Sequence, residues 1–314
     1  MARSPVTLAD DFSQPFQVDK QGVRGRFVRL GAAADEIIGR HGYPDAVSFV
    51  LAEMLALAAT LATALKFDGI FTLQIRGDGP VSVLVADFES PGQMRAYAKY
   101  DDAAVAALVA RAGRSDIGIT ELLGSGYFSW TVDHRLEADR YQGIVALTGR
   151  TLAECAEHYF EQSEQLRAAI KLAVAREMGP DGAYRWRSAG MMVQNLASEG
   201  GTPRDEDVKT VDPADWEHVL ALFRTLTEAE LVDPSLPAQR LLYRLFHEDG
   251  VWVYDALPLV AACRCSRDKV IGVLNTFSPP ELAGMATNGA IEARCEFCNR
   301  TYSFAETELK PAVS

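Results

Sequence analysis

The chain has 314 residues, 48% hydrophobic and 24% charged, so it contains enough apolar residues to bury more than one core. Its formal net charge of −12 argues against DNA or RNA as a partner, because phosphate binding requires a basic surface. The N-terminal stretch Met1-Ala2-Arg3-Ser4-Pro5 has no apolar segment typical of a secretory signal, so we expect a cytoplasmic protein.

Residues 1–196 mix helices with strands that follow one another through hairpin-length links. Helices are predicted over 32–41, 47–65 and 103–112 and from Thr151 onward, and strands over 27–30, 70–76, 81–86, 94–100, 126–132, 141–147 and 185–194. Links of this length favour antiparallel pairing over the helical crossovers of parallel sheets. The sequence therefore predicts an α+β core domain over residues 1–196.

The longest apolar run, Val47 to Leu65, is a candidate for a membrane span. It contains Glu53, is rich in Ala and Thr, and is followed directly by Lys66-Phe67-Asp68-Gly69. These features favour a buried core helix, so we expect no membrane partner.

No stretch of the sequence predicts an enzyme site. Gly77-Asp78-Gly79-Pro80 lacks the following helix and the Lys-Ser/Thr of a phosphate loop, so we interpret it as a hairpin turn. The five histidines form no metal-binding or catalytic pattern; they are His41, His134, His158, His218 and His247.

One cysteine, Cys155, is set apart from the other four. Thr151 and Glu154 form a capping-box pattern at the start of its helix. On that helix Cys155 is predicted to share one face with Leu152, Tyr159 and Leu166, which indicates a small apolar core residue.

Residues 197–258 have the character of an acidic helical linker. The segment 198–212 is polar and contains Gly200-Gly201 and Pro203, and three short amphipathic helices follow it. Over 197–258 there are thirteen Asp/Glu and five Lys/Arg, a net charge of −8. Short helices gain stability mainly by docking an apolar face. The predicted apolar positions are Trp216, Val219, Leu220, Phe223 and Leu226 in the first helix, and Leu241, Leu242, Leu245 and Phe246 in the third.

Four of the five cysteines form two close pairs near the C-terminus, Cys263-Arg264-Cys265 and Cys295-Glu296-Phe297-Cys298. Disulfides, a redox dithiol and a tetrathiolate zinc site are the three interpretations. A reducing compartment favours metal or redox chemistry, and two close pairs provide the four sulfur ligands of one Zn²⁺. Residues 259–314 contain six Lys/Arg and six Asp/Glu, which does not suit a zinc module that binds nucleic acid. We therefore predict a small zinc module over 259–314, either a structural clip or a switch.

The chain resembles the family of redox-regulated heat-shock chaperones known as heat shock protein 33. The C-terminal match consists of Arg244-Leu245-Phe246-His247-Glu248, the two cysteine pairs, Tyr302 and Phe304. The core match consists of Leu65-Lys66-Phe67-Asp68-Gly69, Gly77-Asp78-Gly79-Pro80, Tyr141-Gln142-Gly143-Ile144-Val145 and Tyr159-Phe160-Glu161-Gln162-Ser163-Glu164-Gln165. These motifs occur in order and cover nearly the whole chain.

The resemblance implies a chaperone that holds unfolding client proteins without ATP, and not an enzyme. In the reduced family member all four cysteines bind one zinc ion and the protein is inactive. Oxidation is implied to form the disulfides Cys263–Cys265 and Cys295–Cys298, release the metal, unfold the linker and produce a homodimer that captures clients.

Two other functions remain open on the sequence. One is a zinc-ribbon adaptor that binds a protein partner and is insensitive to redox state. The other is a thiol-disulfide oxidoreductase that uses Cys295 and Cys298, although the thioredoxin-like βαβ context of such a motif is missing around them.

Overall fold

The α+β fold predicted from the sequence is confirmed by a computed structural model, which describes residues 10–20, 22–112, 117–135, 140–164, 166–179, 181–195, 212–287 and 289–309. The chain divides into two compact units, Met1–Ala261 and Ala262–Ser314. The division into core, linker and zinc module at residues 196 and 258 stays a prediction.

Two six-stranded sheets form the frame of the first unit. Their strands are β1 (Phe12–Val18), β2 (Val23–Leu30), β3 (Gly69–Gly77), β4 (Val81–Glu89), β5 (Gln93–Tyr100), β6 (Gly126–His134), β7 (Arg140–Ala146), β8 (Ala168–Met178), β9 (Tyr184–Asn195), β10 (Val251–Val253), β11 (Leu257–Pro258) and β12 (Val260–Ala261). The first sheet has the order β10-β1-β2-β9-β8, with β11 also paired to β1, and the second has the order β12-β5-β4-β3-β6-β7. All pairs are antiparallel except β12 with β5.

Five helices accompany these strands: α1 (Ala32–Gly39), α2 (Asp45–Ala64), α3 (Asp102–Ala112), α4 (Ile119–Leu123) and α5 (Leu152–Tyr159). Helix α2 packs against strands of both sheets and belongs to the main core of the unit. It is long and apolar enough to cross a membrane, but 78% of its apolar window is buried inside the fold, which confirms the predicted core helix. Burial, with a smaller contribution from the charge of Glu228, raises the pKa of Glu53 to about 7.

The sequence did not predict β1, β8 or α4. Strand β8 has the alanine-rich sequence of a helix former, yet it pairs with β9 along its whole length, so tertiary pairing overrides its local preference. One prediction was wrong: α5 ends at Tyr159 and continues only as a π-helical turn, Phe160–Glu164. Leu166 therefore lies beyond the helix face on which it was placed.

The three short helices that the sequence predicted are present: α6 (Pro213–Arg224), α7 (Glu228–Val232) and α8 (Ala238–Phe246). They cover the outer face of the first sheet. We call the segment 212–246 the linker layer. Asp212 caps α6, and Thr227 with Glu230 forms a capping box on α7. All the predicted apolar positions are buried except Leu220, which is partly buried. The polar segment 198–211 lies outside the described residues.

The second unit is small. It contains α9 (Arg267–Leu274), α10 (Pro279–Met285), β13 (Ala290–Arg294), β14 (Thr301–Ala305) and a 3₁₀ turn (Glu306–Glu308). Strands β13 and β14 form an antiparallel hairpin. Among its described residues the buried apolar core consists of five side chains, namely Leu274, Leu282, Ile291, Phe304 and Leu309.

Candidate metal centre

The four paired cysteines meet at one end of the β13–β14 hairpin. Cys263 and Cys265 lie on the segment that leads into α9, whose first turn is capped by the Ser266 hydroxyl. Cys295 follows β13 directly, and Cys298 lies in the turn before β14. Their four sulfur atoms all lie within 4.8 Å of one another.

The turn that carries Cys295 and Cys298 is held by its own backbone. The N–H of Asn299 donates to the carbonyl of Cys295 at 2.9 Å, and the N–H of Cys295 donates to the carbonyl of Arg300 at 3.0 Å. Asn299 has a φ of 61°, a left-handed conformation that asparagine tolerates better than most residues other than glycine. This tight turn brings both sulfur atoms of the pair to the cluster.

The sulfur separations fit a tetrahedral metal site. Cys263 Sγ lies 3.7 Å from Cys295 Sγ, and Cys265 Sγ lies 3.3 Å from Cys298 Sγ. Four sulfurs that each lie about 2.3 Å from one zinc ion are separated by about 3.8 Å at the edges of the tetrahedron. All five cysteines are free, so no disulfide competes for these sulfurs. The residues present can therefore hold Zn²⁺.

Tyr302 supports the cluster from β14. Its hydroxyl donates to Cys265 Sγ at 3.2 Å. Burial raises the pKa of the Cys265 thiol, but hydrogen bonds from Tyr302 and the neighbouring cysteines outweigh it and lower that pKa to about 7. Burial, and then the hydrogen bond to Cys265, raise the pKa of Cys298 to about 12. The pKa shifts of this pair run in opposite directions, and the hydrogen bond from the Tyr302 hydroxyl favours the thiolate form of Cys265.

Arg267 joins α9 to the hairpin next to the cysteines. Its guanidinium lies 4.3 Å from the centroid of the Phe304 ring, donates to the carbonyl of Ser303 at 2.9 Å and pairs with Glu308. The contacts of Arg267 hold α9 against the hairpin, and the five buried side chains pack in the same unit as the cysteine cluster.

Two further expectations are confirmed. Cys155 is 1% exposed in the core around α2, in the first unit, and burial raises its pKa. Gly77-Asp78-Gly79-Pro80 forms the turn between β3 and β4, where Asp78 accepts the N–H of Ser125 at 2.7 Å. Within the described ranges, no second group of three or more Cys, His, Asp or Glu side chains can hold a metal.

Comparison with known proteins supports the resemblance. The sequence model of the Hsp33 protein family matches residues 11–305. A 33 kDa chaperonin of Caulobacter vibrioides is 43% identical over 296 residues, covering 94% of this chain and 95% of that protein. A 33 kDa chaperonin of Pseudomonas syringae pv. tomato is 36% identical over 302 residues, covering 95% and 92%.

Solved structures share the fold. The crystal structure of the 33 kDa chaperonin (Heat shock protein 33 homolog) of Thermotoga maritima matches with a TM-score of 0.75 and 23% identity, covering 96% of this chain and 97% of that chain. The family model and the curated relatives indicate a protein of the chaperone class. The chain belongs to the Hsp33 family.

Proposed function

We propose that this chaperone is a redox-regulated holdase, which binds unfolding proteins under oxidative stress without ATP and performs no catalysis. The observation that carries the proposal is the cluster of four free thiols within 4.8 Å, in a unit with a five-residue core. Cys263, Cys265, Cys295 and Cys298 would hold one Zn²⁺ in the reduced, inactive form. Bound zinc would keep the four sulfurs as thiolates, the form that oxidants attack.

Oxidation is proposed to join Cys263 to Cys265 and Cys295 to Cys298. In each pair the sulfurs form one S–S bond and give two electrons to a peroxide, which takes up two protons and leaves as two water molecules. A disulfide requires sulfurs about 2.05 Å apart, whereas two sulfur ligands of one zinc ion are about 3.8 Å apart, so a bonded pair cannot keep the geometry of the metal site. Each bond therefore withdraws two ligands from the site, and the module loses a constraint that its small core does not replace.

The linker layer supplies the apolar surface that a holdase needs. In the reduced form its aromatic and aliphatic side chains are buried against the first sheet, where Phe246 stacks on Phe16 with ring centroids 5.8 Å apart. Release of the layer would expose both the sheet face and the helix faces. Large exposed apolar patches bind other apolar surfaces, so we propose unfolding clients as partners and a homodimer as the oxidised form.

A single oxidation experiment tests the proposal. The reduced, zinc-loaded protein is treated with peroxide at mildly raised temperature, and zinc release, far-UV circular dichroism and the aggregation of a heat-unfolded client are followed together. We expect release of about one zinc per chain, loss of helix and suppression of aggregation, all reversed by dithiothreitol.

The matched control is Cys155→Ala, which keeps the four clustered thiols and is expected to respond like the parent protein. Zinc that stays bound while the client aggregates freely would contradict the proposal. That result would favour a redox-insensitive zinc-ribbon adaptor.

Replacement of Tyr302 by Phe is expected to weaken zinc binding by about 10- to 100-fold, as is typical when an outer hydrogen bond to a metal ligand is lost. The ring still packs beside Phe304, so the fold of the hairpin is preserved. Competition with a chromogenic chelator measures the affinity. An unchanged affinity would show that the hydroxyl does not support Cys265.

A further inference from the structure

Three basic side chains reach from the first sheet into the linker layer, and all three end on main-chain carbonyls. They are Arg29 on β2, Lys171 on β8 and Arg187 on β9. Arg29 is 1% exposed and Arg187 is 9% exposed, so the contacts of these two arginines lie in the interior of the protein and not on its surface.

Arg29 makes the largest number of these contacts. Its Nε donates to the carbonyl of Leu231 at 2.8 Å, its Nη1 to that of Leu236 at 3.0 Å, and its Nη2 to that of Glu230 at 3.4 Å. Burial lowers its pKa to about 10, which still leaves the guanidinium charged near neutral pH. The planar fork of arginine suits this role, because one side chain serves several acceptors at once.

The other two cations hold neighbouring helix ends. Arg187 Nε donates to the carbonyl of Val232 at 3.1 Å, and the same guanidinium pairs with Asp10 and lies 3.6 Å from Glu177. Lys171 Nζ donates to the carbonyl of Leu226, just beyond the end of α6.

Three of these five carbonyls, those of residues 230–232, lie in the last turn of a helix, and the other two lie in the links before α7 and α8. The last four carbonyls of a helix lack partners within the helix, and they form the negative end of its dipole. The acceptors at residues 230–232 lie at the end of the five-residue helix α7, which has no basic residue in its last turn. Arg29 and Arg187 therefore supply positive charge to a helix end that has no basic residue of its own.

We infer that Arg29, Lys171 and Arg187 form a cationic latch, which holds the linker layer closed by main-chain carbonyls in α7 and in the links that flank it, and which sets how readily the layer opens. The inference rests on the proposed function only in taking linker opening as the step under control. Opening leaves three cations on an apolar sheet face and leaves helix-end carbonyls without their donors. Hydrogen bonds to charged groups stabilise more than neutral ones, so each cation makes opening rarer.

The test measures linker opening in the reduced, zinc-loaded protein by hydrogen exchange of the amides in α6, α7 and α8. Lys171→Met keeps the aliphatic stem and removes one charged donor from an edge strand. We expect exchange in α6 and α7 to accelerate about tenfold or more, with unchanged protection in β3 to β6. Lys171→Arg is expected to restore slow exchange.

Two further variants make the test specific. Lys99→Met removes an exposed cation from the second sheet and is the matched control, with no expected change. Arg29→Lys keeps the charge but loses the fork, and it is expected to accelerate exchange in α7.

Unchanged linker exchange in both Lys171→Met and Arg29→Lys would overturn the latch. If Lys171→Met speeds amide exchange throughout the first unit, that variant is unfolded and does not test the latch. The exchange rate of the α7 amides in Arg29→Lys then decides whether the latch stands. Faster linker exchange in a reduced variant that still does not suppress client aggregation would support the latch, and it would contradict the proposed role of linker opening in client binding.

Discussion

Substitution of Cys265 by Ser is expected to abolish zinc binding and to unfold the second unit while the first unit stays folded. A structural zinc site contributes about 10–16 kcal/mol to the folding of small modules, whereas the described core of this unit has five buried side chains. The two cores of the first unit contain no residue beyond Ala261 among those described, so their packing does not depend on the metal.

Zinc content by atomic emission and the dispersion of amide resonances in two-dimensional NMR measure this outcome. The parent protein and Cys155→Ala should each carry about one zinc ion per chain, and Cys265→Ser none. A Cys265→Ser protein that keeps the resonances of β13 and β14 without metal would show that the hairpin folds on its own core.

Substitution of Phe246 by Ala is expected to release the linker layer and to give holdase activity without any oxidant. Phe246 is fully buried at the end of α8 and stacks on Phe16 of the first sheet. Removal of a buried phenylalanine side chain costs about 3–5 kcal/mol. This cost falls on docking of the layer, because the Phe246 ring packs in the core that the layer shares with the sheet.

Client aggregation in the presence of a thiol reductant measures the activity, and zinc content confirms that the cysteines remain reduced and loaded. Tyr243→Ala is the matched control, since Tyr243 lies on the same helix but is 63% exposed. Reduced Phe246→Ala that exchanges its linker amides quickly yet does not protect the client would separate linker release from chaperone activity.

Local chemistry made the linker layer predictable from the sequence. Asp212-Pro213 and the Thr227–Glu230 pair are start signals that depend on a few neighbouring residues, and the helix period fixes which side chains are buried. Strand β8 was missed because its identity depends on β9, which pairs with it from across a hairpin. The end of α5 was misplaced because the π-helical turn at Phe160 breaks the period that the sequence continues.

The proximity of the four cysteines was predictable from the sequence, but the surroundings of the cluster were not. Paired cysteines have a recognised spacing, so all four were assigned in advance, and the structure places their sulfurs together. The hydrogen bond from Tyr302 depends on the β13–β14 register, in which Tyr302 pairs with Ala293. The contacts of Arg29 are with main-chain carbonyls, which every residue carries, so no side-chain pattern reveals them. Strand β2 contains three arginines, Arg24, Arg26 and Arg29, so charge alone does not single out the buried one.

The two separate hydrophobic cores of the first unit lead us to expect more than one cooperative folding unit in the protein. One core, around α2, contains no described residue of the linker layer, whereas the other is shared between the layer and the sheet. Partial unfolding can therefore remove one unit at a free energy below that of global unfolding. Under the proposed function, the free energy that governs the response to oxidative stress is that of a local opening. The overall melting temperature, which reports global unfolding, can therefore be high while the linker layer opens at a small cost in free energy.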